Sequence, residues 1–256
     1  MGDVPVEMSH RDRFGMFGVL RLDVFDAESG DLVDSRSSKN LIVTSGLNVI
    51  ASALNWAFIQ NYNSGWGSPF ASTSGNLGDI YGAVGTGVAT PVAGDIALGN
   101  EIGRELVTTG TDSANVLTYQ FFFPTTAGNG TVTEMGVFVQ ASTQQVTLSS
   151  GLTLNQTYTS LAVSATTATI PASSTLIINY GAGTGQTQSV VTSGITTAGS
   201  TTINVSSFTA VSSFAIGTTV AYNTGTLLDH ALLSPSVTKT SAQTATLNFS
   251  MTLQSA

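Results

Sequence analysis

The sequence predicts an all-β protein: a mainly antiparallel β-sandwich with one short helix, carrying an inserted small β-barrel or sandwich module. Three observations lead there. Short runs of alternating apolar and polar residues recur through the 256 residues, broken by clusters of Gly, Asn and Ser that mark turns. Ser and Thr supply 69 residues while charged side chains make up only 9%, so hydroxyls and backbone must cover the surface. Finally, 94 consecutive residues between Glu134 and Asp229 contain no Asp, Glu, Lys, Arg or His. A composition break that sharp sets a separate module apart. Hydrophobic residues at 41% are enough to build cores, which argues against intrinsic disorder.

The elements follow in order. Residues 1–17 form a polar arm with acidic and basic residues. The run 18–25 reads as a strand, with Leu20, Leu22 and Val24 on one face and Val19, Arg21, Asp23 and Phe25 on the other. Residues 26–31 make a turn, where Gly30 supplies positive φ, and a return strand leads into Asn40-Leu-Ile-Val43. Thr44 and Ser45 can cap a helix over 46–60, whose Leu47, Ile50, Leu54 and Phe58 recur at helical spacing. Trp56 and Ile59 sit off that stripe and either widen the core face or touch a partner.

Residues 61–78 read as a long loop rich in Gly, Ser and Asn, which is uncommon in a compact domain unless it contacts something. Tyr62, Trp66 and Phe70 lie in it among Asn61, Asn63 and Ser64. They are the candidate ligand or partner contacts. Three uses stay open: binding a ligand such as a sugar, packing on a neighbouring subunit, or anchoring the loop. Strands are expected at 80–85, 104–109, 115–123, 131–140, 227–233 and 245–253, with a short helix over 95–101. High, non-local β-content favours antiparallel packing over any βαβ arrangement.

The uncharged stretch gives the insert, 142–224, within a core domain formed by 18–141 and 225–256. Its Thr- and Val-rich runs suit pleated strands through their β-branched side chains. Two of its stretches echo one another, Ile170-Pro-Ala-Ser-Ser-Thr-Leu-Ile-Ile-Asn-Tyr180 and Ile216-Gly-Thr-Thr-Val-Ala-Tyr222.

Composition removes several function classes. A net charge of −8 with only seven Lys and Arg is the wrong balance for neutralising nucleic-acid phosphates. The absence of Cys excludes disulfides, thiolate metal sites and Cys nucleophiles. No apolar run approaches membrane-spanning length, and the first residues carry no apolar signal region. No cofactor motif appears. Ala83-Val-Gly-Thr-Gly-Val88 lacks the Lys of a phosphate-binding loop and reads as a tight turn. Neither an EF-hand pattern nor a paired-His metal motif is present, which leaves a loop-bound calcium ion as the one open metal reading.

Catalytic constellations are equally thin. Asp229 and His230 precede Ser234 and Ser236, but neighbours on a strand point to opposite faces, so Asp229 is badly placed to orient His230 in a triad. Glu101 and Glu105 are the nearest approach to a glycosidase carboxylate pair, and nothing singles them out from surface acids. The expectation is a protein without catalytic residues.

Several stretches, taken in succession, carry a resemblance. They are Asn40-Leu-Ile-Val-Thr-Ser-Gly-Leu-Asn-Val-Ile50, then Ala83 to Leu98 with Asn100-Glu101-Ile-Gly-Arg104, then Tyr119-Gln-Phe-Phe-Phe123. Val132-Thr-Glu-Met-Gly-Val-Phe138, Leu227-Leu-Asp-His-Ala-Leu-Leu-Ser-Pro235 and Thr238-Lys-Thr240 complete the set. The succession resembles tailed-bacteriophage structural proteins, described as tail, tail-fibre or minor virion components. It covers 40–141 and 225 to the C-terminus, and in similar proteins a short hairpin stands where the insert lies here.

The resemblance implies a virion protein made in the host cytoplasm, in a tail, baseplate or fibre, or as a capsid decoration. It implies contacts with copies of itself, homotrimers being common among such proteins, and with other virion proteins. A host-surface glycan is the further partner considered, as for a receptor-binding module. It supplies no catalytic residue. A hydroxyl-rich surface is in keeping with this, being insensitive to salt and pH.

Overall fold

The computed structural model describes residues 14–51, 80–113, 115–139, 144–180, 185–222 and 225–255. Tyr62, Trp66 and Phe70 lie outside them. The fold is all-β and antiparallel. In chain order the strands are β1 (Phe14–Asp26), β2 (Leu32–Lys39), β3 (Leu41–Ile42), β4 (Ile80–Gly85), β5 (Glu101–Ser113), β6 (Val116–Phe123) and β7 (Gly130–Val139). The insert contributes β8 (Gln144–Thr147), β9 (Thr157–Ala162), β10 (Thr175–Ile178), β11 (Gln188–Val191), β12 (Thr202–Thr209) and β13 (Thr219–Tyr222). The chain returns in β14 (Thr226–Lys239) and β15 (Gln243–Ser255).

Nine strands make one sheet in the order β2-β1-β15-β6-β5-β4-β7-β14-β3. Its two edges, β2 and β3, are consecutive in the chain and separated only by Asn40. One bent run therefore pairs with β1 at one edge and with β14 at the other, so the sheet curls almost shut on itself. Near-closure leaves little open edge, which suits a chain with few charged gatekeepers.

Alternation then sorts the side chains. Leu20, Leu22 and Val24 of β1, Phe121 and Phe123 of β6, Met135 and Val137 of β7, and Leu247 and Phe249 of β15 fill the interior. Each fully buried Leu or Phe of this kind contributes about 1.5–3 kcal/mol. A helix, α1, occupies 44–51, and Val49 and Ile50 pack against this core. Gly46 lets α1 lie against β14, since a Cβ there would collide with the Leu228 carbonyl, and Ser45 Oγ donates to Leu227 O at 2.8 Å. The expected helix thus starts two residues early, and its expected continuation beyond 51 lies outside the described residues.

The insert strands form a four-stranded sheet, β11-β10-β13-β8, and a β12-β9 pair, with their own core that includes Leu161, Ile170, Leu176, Ile203, Phe214 and Val220. This module sits on the outer face of the large sheet. Thr187 N–H donates to Ile102 O at 3.2 Å, Glu101 N–H donates to Ser189 Oγ at 2.7 Å, and Tyr180 packs on Tyr81 with centroids 6.1 Å apart.

Residues 95–101 do not form the short helix expected of them; 86–100 is an irregular loop lying over β4, β7 and β14. The cause is competition for backbone donors. The N–H groups of Gly99 and Asn100 go to the carboxylate of Glu134, and the Asp95 carboxylate caps Val92 N–H behind it.

Candidate functional site

The outer face under this loop and the insert carries a cluster of buried charged groups, Glu101, Arg104, Glu134 and His230. Register brings them together. Ala83 of β4 faces Arg104 on one side and Gly136 on the other, and Gly136 faces His230. One step along, Gly85 faces both Glu101 and Glu134. Small residues in the middle strands leave room for charged side chains from the flanking ones. A Cβ on Gly85 or Gly87 would run into the Glu134 carboxylate.

Glu134 is 1% exposed and is the hub. Its Oε1 accepts from Gly87 N–H and Asn100 N–H, both at 2.8 Å, and its Oε2 accepts from Gly99 N–H at 2.9 Å. His230, also buried, has Nε2 3.2 Å from Glu134 Oε2 and Nδ1 2.8 Å from Asp95 Oδ2. A neutral imidazole has one N–H, so donation to both carboxylates needs the imidazolium. Burial alone opposes that form, but the hydrogen bonds to Glu134 and Asp95 outweigh it and hold the His230 pKa above its ordinary value. For Glu134, burial raises the pKa, and the bonds from His230, Asn100, Gly99 and Gly87 more than reverse it. What this arrangement does chemically is hold a loop: four bonds, three to Glu134 and one between Asp95 and His230, fasten 86–100 to the sheet, and the His230–Glu134 bond ties the two anchors together.

Beside it Arg104 makes a buried bidentate pair with Glu101, Nε to Oε1 at 2.8 Å and Nη2 to Oε2 at 2.7 Å. Its guanidinium lies 3.8 Å from the Phe138 ring centroid. Inside the sheet, Lys239 Nζ donates to Pro124 O at 2.8 Å and Asn129 Oδ1 at 2.9 Å. Burial pulls the Lys239 pKa down to about 8, against the opposing pull of Glu105. Asn129 in turn exchanges bonds with Gln186 of the insert, so Lys239 supports that docking contact.

The sequence candidates are scattered by the structure. Glu101 and Glu105 face opposite sides of β5, since Glu101 pairs with Gly85 and Glu105 with Gly82. Asp229 faces away from His230, as strand alternation required, beside Val137 of the core. It is fully buried, its carboxyl oxygens have no hydrogen-bond partner among the described residues, and burial raises its pKa well above the usual carboxylate range. Ser234 and Ser236 are exposed, while His230 contacts Asp95 and Glu134 instead. The Asp95–His230–Glu134 group was not legible beforehand, because its members are 135 and 96 positions apart from His230. The available signal was a lone Glu inside the apolar run Val132-Thr-Glu-Met-Gly-Val.

Among the described residues no group of three or more acidic or His side chains is placed to hold a metal ion, and no helix is long and apolar enough to cross a membrane. Compared with family models, curated proteins and solved structures, the chain gives no match.

Proposed function

We propose that the chain is a non-enzymatic virion structural protein of a tailed bacteriophage, a tail, baseplate or fibre-associated component. It assembles through its β-surfaces with copies of itself and other virion proteins, and displays the 142–224 module outward. One observation carries this. The buried Glu134–His230–Asp95 group fixes a loop whose Val88, Val92 and Ile96 are 78%, 56% and 71% exposed. Ionic groups thus fasten a loop that presents three large apolar side chains to solvent, and such presentation suits a contact surface. The ordered sequence resemblance supplies the virion context.

The test is immunogold electron microscopy of particles from a producing culture, with antibody to the insert. Gold on tail, neck or capsid supports the proposal, and its position separates fibre or baseplate from head decoration. Intact particles without gold, with antigen only in the soluble fraction, overturn it.

A second reading, glycan binding, is favoured by a groove of about 350 Å³ between Ile96 and the insert, lined in part by Gln144, Thr169, Ser174 and Thr175. A glycan array of the wild type beside Trp66→Ala and Thr175→Ala variants tests it. Binding lost only in the second variant assigns the groove.

A further inference from the structure

We propose that the insert is a tandem duplication of a 44-residue unit whose two copies interlock about a pseudo-two-fold axis into one folding module. β8 starts at Gln144 and β11 at Gln188, and β10 starts at Thr175 and β13 at Thr219, so both pairs are offset by 44 positions. The sheet order β11-β10-β13-β8 reads the same after exchanging the copies. Register obeys the exchange as well. Thr175 faces Val191 as Thr219 faces Thr147, and Leu176 faces Val190 as Val220 faces Val146. At the centre Leu176 faces Tyr222, Ile177 faces Ala221 and Ile178 faces Val220, which places the axis between Ile177 and Ala221.

The irregular segments obey it too, which chance pairing of strands does not explain. Leu152 and Phe214 exchange backbone bonds at 2.8 and 2.9 Å, and Ile170 and Thr196 do the same at 2.8 and 2.9 Å. Asn155 N–H donates to Ala210 O and Ala210 N–H to Gln156 O; at the matched positions Gly199 N–H donates to Thr166 O and Thr166 N–H to Ser200 O. Leu148 N–H to Thr218 O is matched by Thr192 N–H to Ser174 O. Positive φ recurs in step, at Asn155 and Gly199 and at Ser173 and Gly217. Identical residues survive at Gln144 and Gln188, Val146 and Val190, Thr157 and Thr201, and Thr175 and Thr219. One stretch departs from the 44-residue offset: around β9 and β12 the exchange runs at 42, with Leu148 bridging Val163 as Thr192 bridges Val205 and Ser149 N–H donating to Ala162 O as Ser193 N–H donates to Asn204 O, and the bulge between Asn204 and Phe208 lets the 44-residue offset return by Ala210.

The copies are not beads on a string. Each lends its strands to the other's sheet, so neither has a complete core alone, unlike repeats that contact only their neighbours. The module is one cooperative unit, a self-associating pair fused in one chain.

Two experiments on the full chain test this. Leu161→Ser places a hydroxyl in the buried core of the first copy. Hydrogen exchange with mass spectrometry is expected to show protection falling together in 144–180 and 185–222, while β1 and β15 stay protected. Loss confined to 144–180 overturns the interlocked unit. The second experiment transplants one copy's turn into the other, with Leu154→Ala, Asn155→Gly and Gln156→Ser together giving the sequence of 198–200. Equivalent turns predict an unchanged exchange pattern and a melting temperature equal to or above the wild type. A fall of ~10 °C or more, far beyond a surface effect, overturns the equivalence.

Discussion

Glu134 and His230 are 96 positions apart in the chain yet meet through Oε2 and Nε2 at 3.2 Å, on neighbouring strands β7 and β14. Each holds the other in its charged form, and the two signs can be worked out separately. The raised pKa of His230 gives stabilisation that is complete below its ordinary 6.5 and is lost as pH rises through the folded value. The lowered pKa of Glu134 gives stabilisation present above its ordinary 4.5 and lost as pH falls through the folded value. The loop is therefore held best between 4.5 and 6.5 and loosens on the alkaline side. Lys239 works in the opposite sense above about 8, so melting temperatures are best compared between pH 5.5 and 8. The wild type is expected to lose stability across that interval, and His230→Gln is expected to show a flatter profile. Parallel profiles for the two proteins would refute the coupling.

Removing the charge of Glu134 is expected to act first on the loop. Glu134→Gln turns one acceptor into a donor facing backbone N–H groups, leaving buried groups unsatisfied. A cost of about 2–4 kcal/mol follows from the ordinary penalty for such groups. Amides of Gly87, Gly99 and Asn100 should exchange faster by NMR while Leu20 and Leu247 in the far strands are unchanged. Unchanged protection at the three loop amides would sink the account of Glu134 as the loop's anchor.

The Arg104–Glu101 pair predicts an asymmetry. Both groups are buried, so Arg104→Met leaves a carboxylate without its bidentate partner and should cost about 3–5 kcal/mol in urea denaturation. Arg104→Met with Glu101→Leu removes both charges and should recover most of that loss, because burying an ion pair costs about as much as its attraction returns. A double variant no better than the single one would mean that the pair is worth more than its desolvation.

Strand identity was legible because it depends on nearest neighbours. The alternation that put Leu20, Leu22 and Val24 on one face puts them in the core, and the turn at 26–31 joins β1 to β2 where expected. Strand length was less so. β14 runs on to Lys239, past the expected end at 233, and register shifts between Leu232 and Val237 carry it beyond Pro235. The helix expected over 95–101 is absent because the geometry of 86–100 is dictated by Glu134, a residue on another strand. The buried polar cluster was illegible for the same reason: register across four strands, not spacing along one, brings its members together.

If the insert is duplicated, its two halves carry different residues at equivalent turns. At matched turns the second copy has Gly199 and Gly217 with φ of 85° and 88°, where glycine is at no disadvantage. The first copy places Asn155 and Ser173 there, with φ of 64° and 60°. Asn tolerates this region through local hydrogen bonding, but a Ser there carries a steric cost of about 1–2 kcal/mol. Glycine's larger unfolded-state entropy offsets part of the gain, about 0.5–1 kcal/mol. Ser173→Gly should therefore stabilise the protein by ~0.5–1 kcal/mol, and Asn155→Gly should have a smaller effect. Gly217→Ser, the reverse exchange at the matched site, should destabilise by a similar amount. Thermal and urea denaturation of the three variants measures this, and opposite signs at positions 173 and 217 are the required outcome. If Ser173→Gly and Gly217→Ser both destabilise, the turns are shaped by their separate surroundings rather than by a shared backbone.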